Sequence, residues 1–328
     1  MPTCEVFSTS ARQLTAYRLA TCGAVPMKND RLVVLVKVPV LLLRTASCLL
    51  ALVLSVGAGA QVPAAATPFF FLQFSDPQFG MFTADKEFSQ ETVNFEMAIA
   101  TANRLKPAFV VVTGDLVNKA GDAAQIAEYR RIAAKLHKSI PLYNVAGNHD
   151  VENVPTPTSV AAYRKSFGAD HYSFRSGSLA GVVLNSSLIH SPDKAPELAD
   201  AQRTWLQAEL GTLRASGARH LVIFQHHPWF LKADDEPDEY FNIPLVRRSI
   251  YLDLFRQAGV KALISGHYHR NAIAKTGSID MITTGPVGKP LGDNPQSGIR
   301  VVIVRDDGLS HRFYSLGELP ATIDLTSK

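Results

Sequence analysis

Along the chain, short apolar runs alternate with longer stretches of helical periodicity. Residues 69–74, apolar apart from Gln73, read as a buried strand. A helix is predicted over 89–106: Ser89 is placed to cap it, Val93, Met97 and Ile99 are its apolar positions, and Pro107 ends it. A second buried strand follows at 109–112. A helix over 122–138 then carries Ile126, Tyr129, Ile132 and Leu136 at helical spacing, and a third strand lies at 142–145. The second half predicts strands near 171–174 and 181–185, a helix over 200–216, a strand at 220–224 and a solvated acidic loop at 232–240. A helix over 244–258 and strands at 261–264, 279–283, 299–304 and 309–314 complete the chain, with Asp306-Asp307-Gly308 turning the last pair. This alternation of β and α implies a layered α/β fold. One domain at 68–328 holds all these elements, and the Ala-, Pro- and Thr-rich 61–67 is a linker.

The first 60 residues stand apart. Residues 45–60 are uncharged and apolar, follow Lys28, Arg31, Lys37 and Arg44, and end on Ala58-Gly59-Ala60, the small-residue pattern of a signal-peptidase site. The run is shorter than the roughly 20 residues of a membrane span. Residues 1–60 are therefore expected to be a leader with a signal peptide, and the protein to be secreted or periplasmic. Met27 gives a more usual leader length, so 1–26 is read as an incorrectly assigned start. The alternative is an uncleaved leader that anchors the chain to a membrane by its N-terminus.

Composition narrows the chemistry. The chain has 328 residues, 46% hydrophobic and 19% charged, which suits a large core and not disorder. Its formal charge of +4 belongs to the leader: beyond residue 60 there remain 27 of the 33 basic and 27 of the 29 acidic residues. Nucleic acid is therefore not an expected partner. Cys4, Cys22 and Cys48 all lie in the leader, so a metal site in the domain must be built from His, Asp, Asn and similar groups.

Five segments share one design, in which an apolar strand ends and a metal-capable residue follows. They are Asp76-Pro77-Gln78, Gly114-Asp115, Gly147-Asn148-His149-Asp150, Gln225-His226-His227 and Gly266-His267-Tyr268-His269. Alone, Gly147-Asn148-His149-Asp150 also suits an ordinary turn, since Asn and Asp bond their own backbone. Together the five match the placement of sites at the carboxyl ends of strands in open α/β sheets. Pro77 is expected to hold Asp76 extended. Alternate residues of an extended segment share a face, so Asp76 should aim with Gln78 and His267 with His269. Gly114, Gly147 and Gly266 are expected to turn the backbone beside a crowded site.

The ordered set resembles the calcineurin-like metallophosphoesterase superfamily, whose blocks read D-x-H, G-D, G-N-H-[DE], H and G-H-x-H. The resemblance implies a four-layer sandwich of two mixed β-sheets flanked by helices, around two divalent metal ions (Mn, Fe, Mg or Zn). It implies that Asp76, Gln78, Asp115 and His269 hold the first ion, and that Asp115 bridges to a second held also by Asn148, His226 and His267. His149 would be the leaving-group acid, oriented by Asp150. The implied reaction is hydrolysis of a phosphate monoester or diester, by in-line attack of a metal-bound hydroxide. The substrate would be a phosphorylated small molecule, a nucleotide or a phosphoprotein.

Gln78 departs from the pattern, standing where most of the superfamily has His. The first site would then have three oxygen donors and one nitrogen, which leans towards Mn²⁺, Mg²⁺ or iron over Zn²⁺. The run Asp76 to Gly80 is similar to that of the calcineurin-like phosphoesterase domain-containing protein 1 subgroup, a proposed Ser/Thr phosphatase group. That likeness extends through residues 240–244, 258–261 and 266–271. It makes Tyr240, Asn242, Arg270 and Asn271 candidates for substrate contact, alongside His227, which either lines the pocket or only packs. Purple acid phosphatases have a Tyr ligand where Asn118 stands, so a charge-transfer iron site is not expected. His137, His171, His190, His220 and His311 lack motif context and read as structural. A reading from another class is a metal- or phosphate-ligand-binding protein on this scaffold, with catalysis weakened at Gln78; within the enzyme class, a cyclic-nucleotide phosphodiesterase is the other reading.

Overall fold

The computed structural model describes residues 67–293 and 295–326. The predicted leader and all but the last residue of the linker lie outside them. Among the described residues, no helix is long and apolar enough to cross a membrane.

The apolar run that opens the domain becomes β1 (Phe69–Phe74), the middle of a five-stranded sheet. On one side it pairs antiparallel with β10 (Gly298–Val304), which pairs with β11 (Leu309–Ser315). On the other it runs parallel to β2 (Val110–Val112), which runs parallel to β3 (Leu142–Asn144). The second sheet has six strands. In spatial order they are β4 (Tyr172–Ser176), β5 (Leu179–Val183), β6 (His220–Phe224), β7 (Val260–Ser265), β9 (Ile279–Thr283) and β8 (Ala272–Thr276). Strands β5, β6, β7 and β9 are parallel neighbours. Every residue of β5 and β6 is buried, as expected of parallel strands covered on both faces.

The two sheets pack face to face through Phe71, Phe109, Val111, Val222, Phe224 and Ile264. Phe71 stacks on Phe109 with ring centroids 4.5 Å apart. Helices α1 (Ser89–Leu105), α2 (Ala123–Ala133) and α4 (Pro157–Phe167) cover the first sheet through Phe95, Tyr129 and Tyr163. Helices α6 (Pro196–Ala215) and α7 (Leu245–Ala258) cover the second through Leu206, Leu210 and Phe255. The short α3 (Asn148–Val151) and α5 (Ser186–His190) begin just beyond β3 and β5. The result is the α/β sandwich of two mixed sheets flanked by helices.

Local details differ from the expectation. The buried stripe of α1 is Phe95, Ala98, Ile99 and Ala102, an i, i+3, i+4, i+7 set, while Val93 and Met97 are 55% and 43% exposed. Ser89 makes no cap; its hydroxyl bonds Glu87, and Phe88 occupies the N-cap position without a side-chain hydrogen bond. Asp122 does cap α2, accepting from the N–H of Ala124 and Gln125 at 3.0 and 3.1 Å. That helix ends at Ala133, where tighter turns at Lys135 and Leu136 replace its last predicted residues. The acidic loop is not merely solvated. Glu236 turns inward to accept from the N–H of Leu231, Lys232 and Ala233 at 2.7, 2.8 and 3.2 Å. Beneath it the buried Arg248 donates to the carbonyls of Ile243, Asp234 and Glu236.

Candidate metal centre

Parallel strands in both sheets end at the same rim, and the five segments meet there. Asp76 and Gln78 follow β1, Asp115 follows β2, Asn148 and His149 open α3 after β3, His226 follows β6, and His267 and His269 follow β7. Main-chain bonds zip these loops together: Asp76 N–H to the Gly114 carbonyl (3.2 Å), Gln78 N–H to Asp115 (2.8 Å) and Gly266 N–H to His226 (3.0 Å).

The local geometry corrects the expectation of extended segments. Asp76, Gln78, Asp115, His267 and His269 have φ of 46°, 41°, 49°, 66° and 54°, all in the left-handed region that costs a non-glycine residue energy. The pairs Asp76/Gln78 and His267/His269 converge through tight left-handed turns, not by alternation along a strand. The glycines serve mainly to make room. A Cβ on Gly147 would collide with the Asp115 carboxylate, and one on Gly266 with the Ser75 hydroxyl. Gly147 has φ −99°, so space and not conformational freedom demands glycine there.

At the rim, four imidazoles are held by main-chain carbonyls. Nδ1 of His149 lies 2.6 Å from the Asn118 oxygen, Nδ1 of His226 2.9 Å from Thr113, Nε2 of His267 3.3 Å from Tyr240 and Nδ1 of His269 2.6 Å from Lys289. A carbonyl only accepts, so each of these nitrogens carries the proton and the ring's other nitrogen is left to face the rim. His226 Nε2 lies 2.9 Å from Asn148 Oδ1, 3.1 Å from His267 Nδ1 and 3.2 Å from Asp115 Oδ2. His269 Nε2 lies 3.5 Å from Asp76 Oδ1.

Lone pairs therefore crowd together with too few protons between them. Two sets bring one ligand atom per residue within 4.8 Å of one another: Asp115, His226 and His267, and Asp76, Asp115 and His269. Asp115 belongs to both. The amides complete the sets. Asn148 donates through Nδ2 to Asn153 at 2.6 Å, which turns its Oδ1 towards His226. Gln78 donates through Nε2 to Asn118 Oδ1 at 3.1 Å, and its Oε1 is buried with no hydrogen-bond partner among the described residues. A buried acceptor without a donor is costly, and a cation removes that cost. The donor set fits two hard or borderline divalent ions.

The electrostatics agree. Burial raises the Asp76 pKa against the opposing pull of His269 and His226. Burial also acts on Asp115, but His226 and His149 outweigh it and hold that carboxyl below the usual range. Burial alone would lower the His226 pKa; Asp115 and Asp76 instead push it up to about 9. The pocket thus draws a proton where a cation fits.

The remaining predicted residues divide. Asp150 does not touch the His149 ring. Its carboxylate accepts from the N–H of Leu116, Val117 and Gly147 at 2.9, 3.1 and 2.8 Å, bracing the loop backbone, and the Asn118 carbonyl orients His149 in its place. Asn242 is buried and spent on its own loop, bonding Glu236, Pro237 and Glu239. Tyr240 is 58% exposed, packs on His267 at 5.1 Å and reaches Asn148 with its hydroxyl. Arg270 is exposed over the Tyr268 ring, 4.6 Å from its centroid. Asn271 accepts from Arg300 and Gly285 at 2.6 and 3.1 Å, and with Arg270 it lines a cavity of about 210 Å³ beside His269.

His227 is buried against His267 and His190, with ring centroids 4.4 and 4.7 Å away. Ser186 Oγ accepts from the N–H of both His226 and His227, so its own proton goes to His227 Nδ1, 2.9 Å away. His227 therefore carries its ring proton on Nε2. His190, read as structural, thus stacks beside the centre. The sequence read Asn118 only as a non-ligand and missed its bonds to Gln78 and His149, and it missed Asn153 altogether. The first stands three residues after Asp115 and the second five after Asn148, a spacing that was the only available signal.

A profile of the family described as calcineurin-like phosphoesterase matches residues 71–271. The chain is 39% identical over 267 residues to serine/threonine-protein phosphatase CPPED1 of Bos taurus, covering 77% of this chain and 85% of the relative. Among solved structures the fold is similar to purple acid phosphatase PPD1 from yellow lupin, with a TM-score of 0.60 and 13% identity over 78% of this chain and 52% of that one. It is also similar to a dimetal phosphatase from Danio rerio, with a TM-score of 0.51 and 15% identity over 75% and 99% of the two chains.

Proposed function

We propose, on the premise that this chain belongs to the calcineurin-like phosphoesterase family and to its CPPED1 subgroup, that the centre hydrolyses phosphate monoesters of the phosphoserine and phosphothreonine kind. The chain is a metal-dependent phosphoric ester hydrolase. The substrate class follows the name of its 39% identical relative. The observation that carries the metal-dependent reading is the pair of ligand sets that share Asp115, beside a buried Gln78 Oε1 that has no hydrogen-bond partner among the described residues.

Asp76, Gln78, Asp115 and His269 would hold one divalent ion, and Asp115, Asn148, His226 and His267 the other. When bound, such a pair supplies Lewis acidity to the phosphoryl oxygens and lowers the pKa of water. The chain's own residues do the rest. His149, fixed through Nδ1 on the Asn118 carbonyl, presents Nε2 to give a proton to the departing oxygen. His227, protonated on Nε2, donates a hydrogen bond to a phosphoryl oxygen without adding charge. The Tyr240 ring and hydroxyl flank the entry beside Asn148 and His267. With three oxygen donors and one nitrogen, the Gln78 site is suited to Mn²⁺, Mg²⁺ or iron.

The test is turnover of 4-nitrophenyl phosphate, bis(4-nitrophenyl) phosphate and a phosphoserine peptide by chelated and Mn²⁺-restored protein. Activity should vanish on chelation, return with Mn²⁺, and favour the monoesters. Faster diester cleavage would overturn the substrate class, and metal-replete protein inert on all three would overturn the mechanism. We further propose that the chain is exported, on the strength of the leader pattern at 45–60. N-terminal sequencing of exported protein should start near Gln61; a start far from it contradicts cleavage.

A further inference from the structure

Among the described residues, Arg300 is a buried cation without a carboxylate partner. It sits on β10 opposite Gln73 of β1 and is 3% exposed. Its three hydrogen-bond partners are neutral: Thr284 Oγ1 at 2.6 Å from Nε, His311 Nδ1 at 2.8 Å from Nη1 and Asn271 Oδ1 at 2.6 Å from Nη2. Burial pulls its pKa down to about 10. A buried arginine paired only with neutral groups is costly to the fold, and no part of the reaction described above uses it.

The bonds leading away from Arg300 all point one way. Its Nε–H donates to Thr284 Oγ1, and the Thr284 hydroxyl donates to Gln73 Oε1 at 2.6 Å. Gln73 then donates from Nε2 to Thr113 Oγ1 at 3.0 Å, with a second bond to the Ser265 carbonyl at 2.9 Å. The Thr113 hydroxyl has two acceptors, Ser75 Oγ at 2.9 Å and the Phe74 carbonyl at 3.2 Å. Ser75 donates to Asp76 Oδ2, because a carboxylate accepts only. Gln73, Thr113, Thr284 and Ser75 are all fully buried. Such a chain polarises link by link in a low-dielectric interior. At its far end Ser75 occupies Asp76 Oδ2, both carboxylate oxygens also accept from the His267 N–H at 3.1 and 3.2 Å, and Oδ1 lies 3.5 Å from His269 Nε2.

We propose that Arg300 is a positioning residue for the Gln78-side metal site, acting on Asp76 through the one-way chain Arg300, Thr284, Gln73, Thr113, Ser75. It orients the Asp76 carboxylate and holds it ready for a cation. This rests on Asp76 being a ligand, as read above.

The experiment is a Mn²⁺ titration of chelated protein, followed by calorimetry and by the Mn²⁺ electron paramagnetic resonance signal. It is run on the wild-type chain, Thr284→Val, Thr284→Ser, Arg300→Met and the Thr284→Val/Arg300→Met double variant, with a thermal melt of each. Thr284→Val keeps the shape and cuts the chain, and Thr284→Ser keeps the hydroxyl. Thr284→Val should weaken one of the two Mn²⁺ equivalents by about tenfold and leave the other near its wild-type affinity, the lower end of the range for groups that orient a ligand. Thr284→Ser should restore binding, and the double variant should bind no worse than Arg300→Met. Unchanged affinities, equal weakening of both equivalents in step with the melting temperature, or additive losses in the double variant would each overturn the proposal. If Arg300→Met does not fold, the Thr284 pair decides alone. Asp76→Ala separates the two claims: if it keeps both equivalents, Asp76 is not a ligand. If it loses one while Thr284→Val loses nothing, only the chain fails.

Discussion

The two halves of the metal centre share Asp115 and are built by different means. On the His226 side, both rings hang from main-chain carbonyls, Thr113 for His226 and Tyr240 for His267, and Asn148 is turned by one bond to Asn153. On the Gln78 side, the main chain holds His269 through the Lys289 carbonyl and Asp76 through the His267 N–H, 3.1 and 3.2 Å from its two oxygens. Gln78 depends on the Asn118 side chain, and Asp76 depends in part on the Ser75 side chain and the groups behind it. Left-handed backbone occurs on both sides, at Asp76, Gln78 and His269 on one and at His267 on the other. A site oriented by main chain is carried by the sheets themselves, whereas one oriented by side chains is open to single substitutions. The His226 side should therefore bind its ion more tightly and tolerate more change.

Several substitutions bear on that contrast. Asp115→Ala removes the residue common to both sets, so both ions should be lost and turnover should fall to background; metal content by mass spectrometry checks this, and retention of one ion would break the claim that Asp115 is shared. His149→Ala should cut kcat by about 10²- to 10⁴-fold with metal content unchanged, because it removes a proton donor and no ligand. Loss of metal in that variant would move His149 into the ligand set. Asn118→Ala frees the Gln78 amide to turn over, and should weaken the Gln78-side ion by about tenfold in a Mn²⁺ titration while sparing the other.

The smallest effect lies outside the centre, at Asp170. It is buried, bonded by Arg164, His171 and Asn185, and these bonds outweigh burial to hold its pKa at about 2 against an ordinary 3.8. The folded value lies below the unfolded one, so its contribution is complete above about pH 4 and disappears as pH falls through about 2. It should amount to about 2 kcal/mol near neutrality. Denaturant unfolding of wild type and Asp170→Asn should differ at pH 6 and converge towards pH 2; metal affinity at neutral pH should be the same in both.

What could be read from the sequence was what side chains announce. Continuous apolar runs located β1, β6 and β9 to the residue, and metal-capable residues after strand ends located the rim. Main-chain acceptors have no such signature, which is why the anchors at Thr113 and Lys289 were invisible and Asp150 was expected to orient His149. The left-handed turns at Asp76 and His267 carried only a weak signal: Asp and His are enriched in that region, but most of them lie elsewhere. Strand β8 alternates half-buried and exposed residues at a sheet edge, too polar a run to stand out. Helix α4 carried a start signal in Thr156-Pro157, but it is short and has few apolar residues.

The central claim, two cation sites of unequal strength joined at Asp115, is tested most directly by titrating chelated protein with Mn²⁺ and counting bound ions by calorimetry. Two ions per chain should bind in two resolved steps, and Gln78→Ala should abolish the weaker step alone. A single ion, or two of equal affinity both lost in Gln78→Ala, would contradict it.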